Sequence, residues 1–324
     1  MMNLQFRNRL YNRRKMLGKS IKAGASLFFS SSVIPGFSKE GNSDKVMENQ
    51  LITRAIPSTG EVIPAIGMGT WQTFDAGNST SKKENLQEVL RLFVEMGGKL
   101  IDSSPMYGSS EEVVGDLARN LNIHNSLFIA TKVWTRGEEN GKNQMRESME
   151  LLKADTIDLM QVHNLLDYQK HLKTIRNMKE QGKVRYIGIT HYTTGSYPEL
   201  IRVMKENPVD FVQFNFSLQT REAENSILPF ARDNGVAVII NRPFEGGSLF
   251  SQVKGKDLPE WAKELDINSW GQFFLKYIIS HPGVTCAIPA TDKPKHLEDN
   301  MSACYGKLPD EGQRKKMVDI FKNL

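Results

Sequence analysis

The chain has 324 residues, of which 39% are apolar and 24% charged, a balance that excludes a disordered or fibrous protein and suits a large α/β domain. No run approaches the roughly 18 consecutive apolar residues of a membrane span, so stable membrane insertion is not expected. The net charge is +5, but residues 1–38 hold seven Lys and Arg and no Asp or Glu, and removing those seven leaves −2 for the remainder. A body of that charge is a poor nucleic-acid binder.

Residues 1–38 join a basic head to a short apolar stretch and small residues. Arg13-Arg14 followed by Lys15-Met16-Leu17 is similar to a twin-arginine export signal, although Ser or Thr does not precede the pair and no clean Ala-x-Ala site follows. The expectation is an exported, periplasmic protein whose leader meets the export machinery. The alternative is a basic N-terminus on a cytoplasmic protein. Residues 39–50 read as a polar linker and 51–324 as the folded body. The body starts with two short apolar runs about Ser58-Thr59-Gly60-Glu61, a β-hairpin expected to plug the bottom of a barrel.

Eight near-continuous apolar runs follow: IPAIGMGTW, KLIDSS, LFIATKV, TIDLMQVHN, VRYIGITH, FVQFNFS, VAVIINRPF and TCAIPAT. Such runs suit strands covered on both faces. Stretches of helix period lie between them, with Leu86, Val89, Leu90, Phe93 and Val94 on one face of the first, and Ile175 and Met178 in the fourth. Ser109 stands three before Glu112, a capping-box spacing, while Gly97-Gly98, Gly182 and Gly235 mark helix ends. The alternation predicts an α/β fold, a (β/α)8 TIM barrel. An open doubly wound sheet is the rival, but no Gly-x-Gly-x-x-Gly follows the first strand. Cys286 and Cys304 form no Cys-x-x-Cys pair and read as packing residues.

Barrel enzymes carry their chemistry at the C-terminal ends of the strands. Asp102 ends the second run, with Tyr107 in the loop after it; Lys132 ends the third, and His163-Asn164 the fourth. The steps from Asp102 to Lys132 and from Lys132 to His163 are 30 and 31 residues, one βα unit each. A phenol titrates near 10 and is a poor proton donor at neutral pH. A Lys ammonium about 4 Å away contributes up to roughly 4 kcal/mol at an effective dielectric of about 20, enough to lower that value by two or three units. Asp102 is expected to keep Lys132 charged, and His163 to orient a substrate oxygen. No nucleophile and no metal-ligand cluster accompanies them.

These motifs in this order resemble the aldo-keto reductase family over roughly Leu51 to Asn300: the IPxIGxGTW strand, Asp102 through Tyr107-Gly108 to Glu111, Ala130-Thr131-Lys132, and Gln161-Val162-His163-Asn164. The resemblance implies a catalytic tetrad of Asp102, Tyr107, Lys132 and His163, with hydride from a nicotinamide cofactor and Tyr107 as general acid. It further implies cofactor contacts from Thr190, His191, Gln213, Asn241, Arg242, Pro243, Gly247, Thr291, Lys293, His296 and Asn300. Several depart from the family's pattern. Thr190-His191 stands where Ser-Asn holds the carboxamide, and Asn241-Arg242-Pro243 replaces an aromatic-Ser-Pro run whose ring faces the nicotinamide. Ala290 and His296 occupy the places of the basic pair for the 2′-phosphate. Lys293 and Lys295 offer charges nearby, so NADP(H) is favoured over NAD(H).

Trp71, Trp134 and Asn164 are candidate substrate contacts, with Tyr192 beside them, in a pocket expected to stand open because the chain ends soon after its last helix. The partner expected is a small-molecule carbonyl compound and the protein a monomer. Two other readings stand beside the reductase. A nucleotide-binding or regulatory module on the same scaffold would explain the altered cofactor contacts. A barrel lyase or isomerase would want a metal cluster or a Schiff-base Lys, against which Asp102 beside Lys132 argues.

Overall fold

The computed structural model describes residues 50–324. The expected leader, and all but Gln50 of the expected linker, lie outside the described residues. The predicted hairpin is present: β1 (Thr53–Ala55) pairs antiparallel with β2 (Val62–Pro64), Arg54 opposite Ile63. Its turn needs Gly60, whose φ is +79°.

Eight parallel strands follow: β3 (Met68–Gly69), β4 (Leu100–Asp102), β5 (Phe128–Val133), β6 (Ile157–His163), β7 (Val184–Thr190), β8 (Phe211–Asn215), β9 (Ala237–Asn241) and β10 (Cys286–Ala287). Each pairs with the next in chain order. Bridges from Ile66 to Ala287 and from Gly69 to Ala290 bring the first edge to the last and close the barrel. At this seam the backbones approach closely: a Cβ on Gly67 would meet the Leu100 carbonyl oxygen at 2.7 Å.

The helices are α1 (Thr80–Glu95), α2 (Ser110–Asn120), α3 (Glu138–Leu151), α4 (Tyr168–Glu180), α5 (Tyr197–Glu206), α6 (Ile227–Asp233), α7 (Ser248–Gln252), α8 (Trp270–Ile279), α9 (Pro294–Ser302) and α10 (Glu311–Lys322). The short α7 and the final α10 exceed a one-to-one alternation. Leu86, Val89, Leu90 and Phe93 of α1 are buried as the periodicity predicts, and the chain reverses after α1, α4 and α6 at Gly97, Gly182 and Gly235, all with positive φ. The capping box expected at Ser109 is not formed. Its hydroxyl donates to Asp75 and accepts from the Gly77 N–H instead, tying the loop before α1 to the start of α2.

Alternation along each strand splits the apolar residues into two cores. Ile101, Ile129, Met160, Val162, Ile189, Val212, Val238 and Ile240 join the layer that packs against the helices. Leu100, Phe128, Ala130, Leu159, Tyr186, Phe211, Ala237 and Ile239 form the barrel interior, together with Ile56 and Ile63 from the hairpin. The hairpin therefore plugs the barrel. Its Glu61 carboxylate accepts the Tyr186 hydroxyl at 2.6 Å, and Thr59 Oγ1 lies 2.8 Å from the same oxygen. Burying each large interior side chain contributes about 1.5–3 kcal/mol, which fixes the strand register. A one-residue slip would turn this whole set outward.

Candidate active site

The strand phase that buries the interior core also builds the site. Two residues beyond Leu100 comes Asp102; beyond Phe128 and Ala130 comes Lys132; beyond Leu159 come Gln161 and His163. Thr190, Gln213 and Asn241 continue the same inward columns of β7, β8 and β9. In β4 to β9 the inward column is apolar at its start and polar at its C-terminal end. Tyr107 is added from the β4–α2 loop.

Lys132 Nζ donates to Asp102 Oδ2 at 2.5 Å and to the Ser103 carbonyl at 2.7 Å, with both side chains of the ion pair essentially inaccessible to solvent. Asp102 Oδ1 accepts from Gln161 Nε2 at 2.9 Å and Gln213 Nε2 at 3.0 Å. A buried pair is tolerated only when its remaining lone pairs are satisfied in this way. Nζ lies 5.0 Å from the centre of the Tyr107 ring. Burial is the largest influence and works against the Lys132 charge, but the Asp102 carboxylate and the Tyr107 hydroxyl together outweigh it and hold the ammonium above its ordinary value.

The direction for Tyr107 corrects the expectation from sequence. Burial pushes its hydroxyl above the ordinary phenol value; Lys132 pulls it down and Asp102 pushes it up, and the net displacement is upward. Lys132 offsets the burial of the phenol rather than acidifying it outright. The phenol therefore stays protonated at neutral pH, as a proton donor must.

The His163 ring stands edge-on to Tyr107, with centres 6.0 Å apart, and 6.5 Å from Trp134. Burial, then the Lys132 charge and His191, push it down to about 2, so it is neutral. Its Nδ1 lies 3.1 Å from Ser104 Oγ.

Behind Lys132, on the helix side of β5, Glu111 accepts hydrogen bonds from Thr131 and Ser148. Burial pushes its carboxyl up to about 7 against those two bonds and the Lys132 charge. A carboxyl raised from its unfolded value holds its proton in the fold, so its contribution to stability is fully present below the ordinary Glu range and is lost as the pH rises through about 7. Glu111→Gln should accordingly raise the thermal midpoint relative to the parent more at pH 8 than at pH 5. Equal shifts at both pH values in thermal melts would contradict this assignment.

Above the tetrad opens a cavity of about 630 Å3, within the range of small-ligand sites. It brings together Trp71, Asp102, Tyr107, Trp134, His163, Asn164, Thr190, Gln213, Asn241, Arg242, Pro243 and Gly247. Lys132 lies buried beneath. His191, Thr291, Lys293, His296 and Asn300 are not in its lining. His191 Nδ1 accepts from the Tyr192 N–H at 3.0 Å and the Thr193 N–H at 3.3 Å, so this atom is committed to its own turn. Thr291 Oγ1 accepts from the Lys293 N–H at 3.1 Å, while Lys293 and His296 are exposed and Asn300 is buried. Gln213 commits its amide nitrogen to Asp102. Its Oε1 accepts from Thr190 Oγ1 at 3.1 Å and from Asn241 Nδ2 at 3.4 Å.

Sequence reasoning missed Gln161, Ser104, Met106 and Phe250. Gln161 carried a signal, since it precedes His163 by two and shares its inward phase. Ser104 and Met106 sit on the β4–α2 loop and Phe250 in the five-residue α7, where no periodicity marks them. Exposed Trp71, Met106, Trp134, Tyr192 and Phe250 all line the cavity and give it an apolar rim. Among the described residues, no group of three or more His, Cys, Asp or Glu is placed to hold a metal, and no helix is long and apolar enough to cross a membrane.

A parallel barrel whose rim joins a buried Lys–Asp pair to a phenol and a neutral imidazole defines a barrel oxidoreductase. The aldo/keto reductase family profile matches residues 65–315, and the chain belongs to that family. It is 28% identical to the methylglyoxal reductase YeaE of Escherichia coli over 256 residues, 76% of this chain and 88% of that protein. It is 25% identical to the aldo-keto reductase YhdN of Bacillus subtilis over 312 residues, 83% of this chain and 93% of that one. Among solved structures, an aldo/keto reductase from Klebsiella pneumoniae in complex with NADP and acetate superposes with a TM-score of 0.70 at 22% identity, covering 81% of this chain and 93% of that one. One from Bacillus halodurans superposes at 0.67 and 18% identity, covering 84% and 96%. These two likenesses concern the fold.

Proposed function

We propose that the protein reduces an aldehyde or ketone to an alcohol with a reduced nicotinamide cofactor, NADPH in preference to NADH. The residues present fit such a group. Gly246 and Gly247 at the cavity edge have positive φ and no heavy atom within 4 Å of where a Cβ would stand, leaving their backbone open. The exposed Arg242 guanidinium, in the same lining, has no ion-pair partner among the described residues. Thr190, Gln213, Arg242, Pro243 and Gly247, all in the cavity lining, are the residues that would hold the cofactor. Two solved aldo/keto reductase structures from Klebsiella pneumoniae hold NADP and NADPH.

A reduced nicotinamide held by these residues would supply the hydride for the carbonyl carbon. Tyr107 hands its hydroxyl proton to the carbonyl oxygen as negative charge gathers there, and His163 donates a hydrogen bond to the same oxygen. Lys132, held charged by Asp102, limits the cost of leaving a phenolate in a buried place. Trp71, Trp134 and Met106 exclude water and wall the substrate side.

The observation that carries this reading is the Asp102–Lys132 pair buried under Tyr107 at the floor of a cavity that His163 also lines. Titrating the protein with NADPH and NADH by tryptophan fluorescence, then assaying aldehydes, ketones and methylglyoxal, tests binding and chemistry separately. Failure to bind either nucleotide would overturn the proposal. Tight binding with no turnover of any carbonyl compound would leave the nucleotide-binding module, which the commitment of His191 to its own turn favours.

We further propose that residues 1–38 direct a twin-arginine export to the periplasm, where the protein acts as a monomer. A twin-arginine route carries folded proteins and suits one that holds its nucleotide. Changing Arg13→Lys together with Arg14→Lys should strand the protein in the cytoplasm in a fractionation experiment. Normal export of that variant rejects the assignment, and a dimer in sedimentation rejects the monomer.

A further inference from the structure

The tetrad leaves open which nitrogen of His163 carries its proton, and a residue of the β4–α2 loop decides it. Ser104 is wholly buried, with its Oγ 3.1 Å from His163 Nδ1. The same oxygen accepts the Met106 N–H at 3.4 Å. A serine hydroxyl has one proton and two acceptor lone pairs. With Met106 donating into Oγ, the Ser104 proton is free to point at Nδ1, which then accepts. The reverse assignment, with Nδ1–H donating into Oγ, leaves the Ser104 proton buried with no acceptor among the described residues, an arrangement that folded proteins avoid. A neutral imidazole carries a single proton. His163 Nε2 has no protein partner and is not among the buried unpaired atoms, so it opens onto the cavity that His163 lines.

We propose that Ser104 is a positioning residue that holds His163 as its Nε2–H tautomer, so that a hydrogen-bond donor and not a lone pair meets the substrate's carbonyl oxygen. The proposal rests on the reductase reading of the same cavity. Without the serine hydroxyl, neither tautomer has a preferred partner at Nδ1. The fraction with Nε2 unprotonated then presents a lone pair to the carbonyl lone pairs and repels the substrate.

The test reads the ring directly. In 15N NMR of the nucleotide-free protein, the His163 resonances should report a protonated Nε2 and an unprotonated Nδ1. In Ser104→Ala they should move toward a mixture. That variant should lose about tenfold in kcat/KM, the scale of one neutral hydrogen bond, with its Kd for NADPH unchanged. Ser104→Thr, which keeps the hydroxyl, should recover both the tautomer and the rate. A merely structural serine would lower the thermal midpoint without moving the tautomer. A protonated Nδ1 in the parent protein overturns the proposal, as does an unchanged tautomer or an unchanged kcat/KM in Ser104→Ala. Should Ser104→Ala fail to fold, the parent spectrum and the Ser104→Thr variant decide. Failure of the reductase reading shows separately, as absence of carbonyl turnover in the parent, and the tautomer measurement does not depend on it.

Discussion

Tyr107→Phe should abolish measurable carbonyl reduction, a loss of about 100- to 10,000-fold in kcat, the range that a positioned acid supplies. The phenyl ring should keep the edge-on place beside His163 and the position over Lys132 that the phenol has, so the cavity wall should be unchanged and nucleotide should still quench the fluorescence of Trp71 and Trp134. Steady-state rates together with a fluorescence titration check both halves. Unaltered turnover removes Tyr107 as the acid, and lost nucleotide binding makes its role structural. Because Tyr107 is held above the ordinary phenol value and His163 is pushed down to about 2, neither group titrates between pH 6 and 8. Neither should give the parent's reduction rate a limb in that window, and a limb near the ordinary histidine value that persists in Glu111→Gln would contradict the assignment of a neutral His163.

Lys132→Met should damage the protein in two separable ways. Removing the ammonium leaves Asp102 buried with only the two glutamine donors, and breaking a buried pair from one side costs about 3–5 kcal/mol. It also removes the charge that offsets the burial of Tyr107, so donating the proton becomes harder and kcat falls about a hundredfold or more. Combining Lys132→Met with Asp102→Asn takes away the stranded charge. The pair of changes should recover much of the stability measured by denaturant unfolding and none of the activity. Wild-type rates in Lys132→Met reject the electrostatic role, and wild-type stability rejects the buried ion pair as drawn.

Much of the fold was legible because a strand's side chains alternate at a period of two. That period, imposed on eight apolar runs, places Asp102, Lys132 and His163 at matching strand ends, and the helix faces of α1 and α4 follow from theirs. The capping box at Ser109 misled because its spacing satisfied a local rule, while the hydroxyl was claimed by Asp75, 34 residues away. The direction of Tyr107's displacement was likewise out of reach. A pair interaction can be estimated from residue types, but the burial that outweighs it exists only once the barrel has closed.

By itself, the sequence determined the α/β barrel, its hairpin plug, and the set of residues that gather at the C-terminal rim, since each depends on periodicity and on spacing by one βα unit. Tertiary structure alone decided which groups that rim brings into bonding distance. It gave Asp102 two glutamine donors from different strands, committed His191 to its own turn, and set Ser104 against His163 Nδ1. Hydrogen bonds of about 3 Å depend on the angles at which separate strands and loops converge, and no pattern along a single segment encodes those angles.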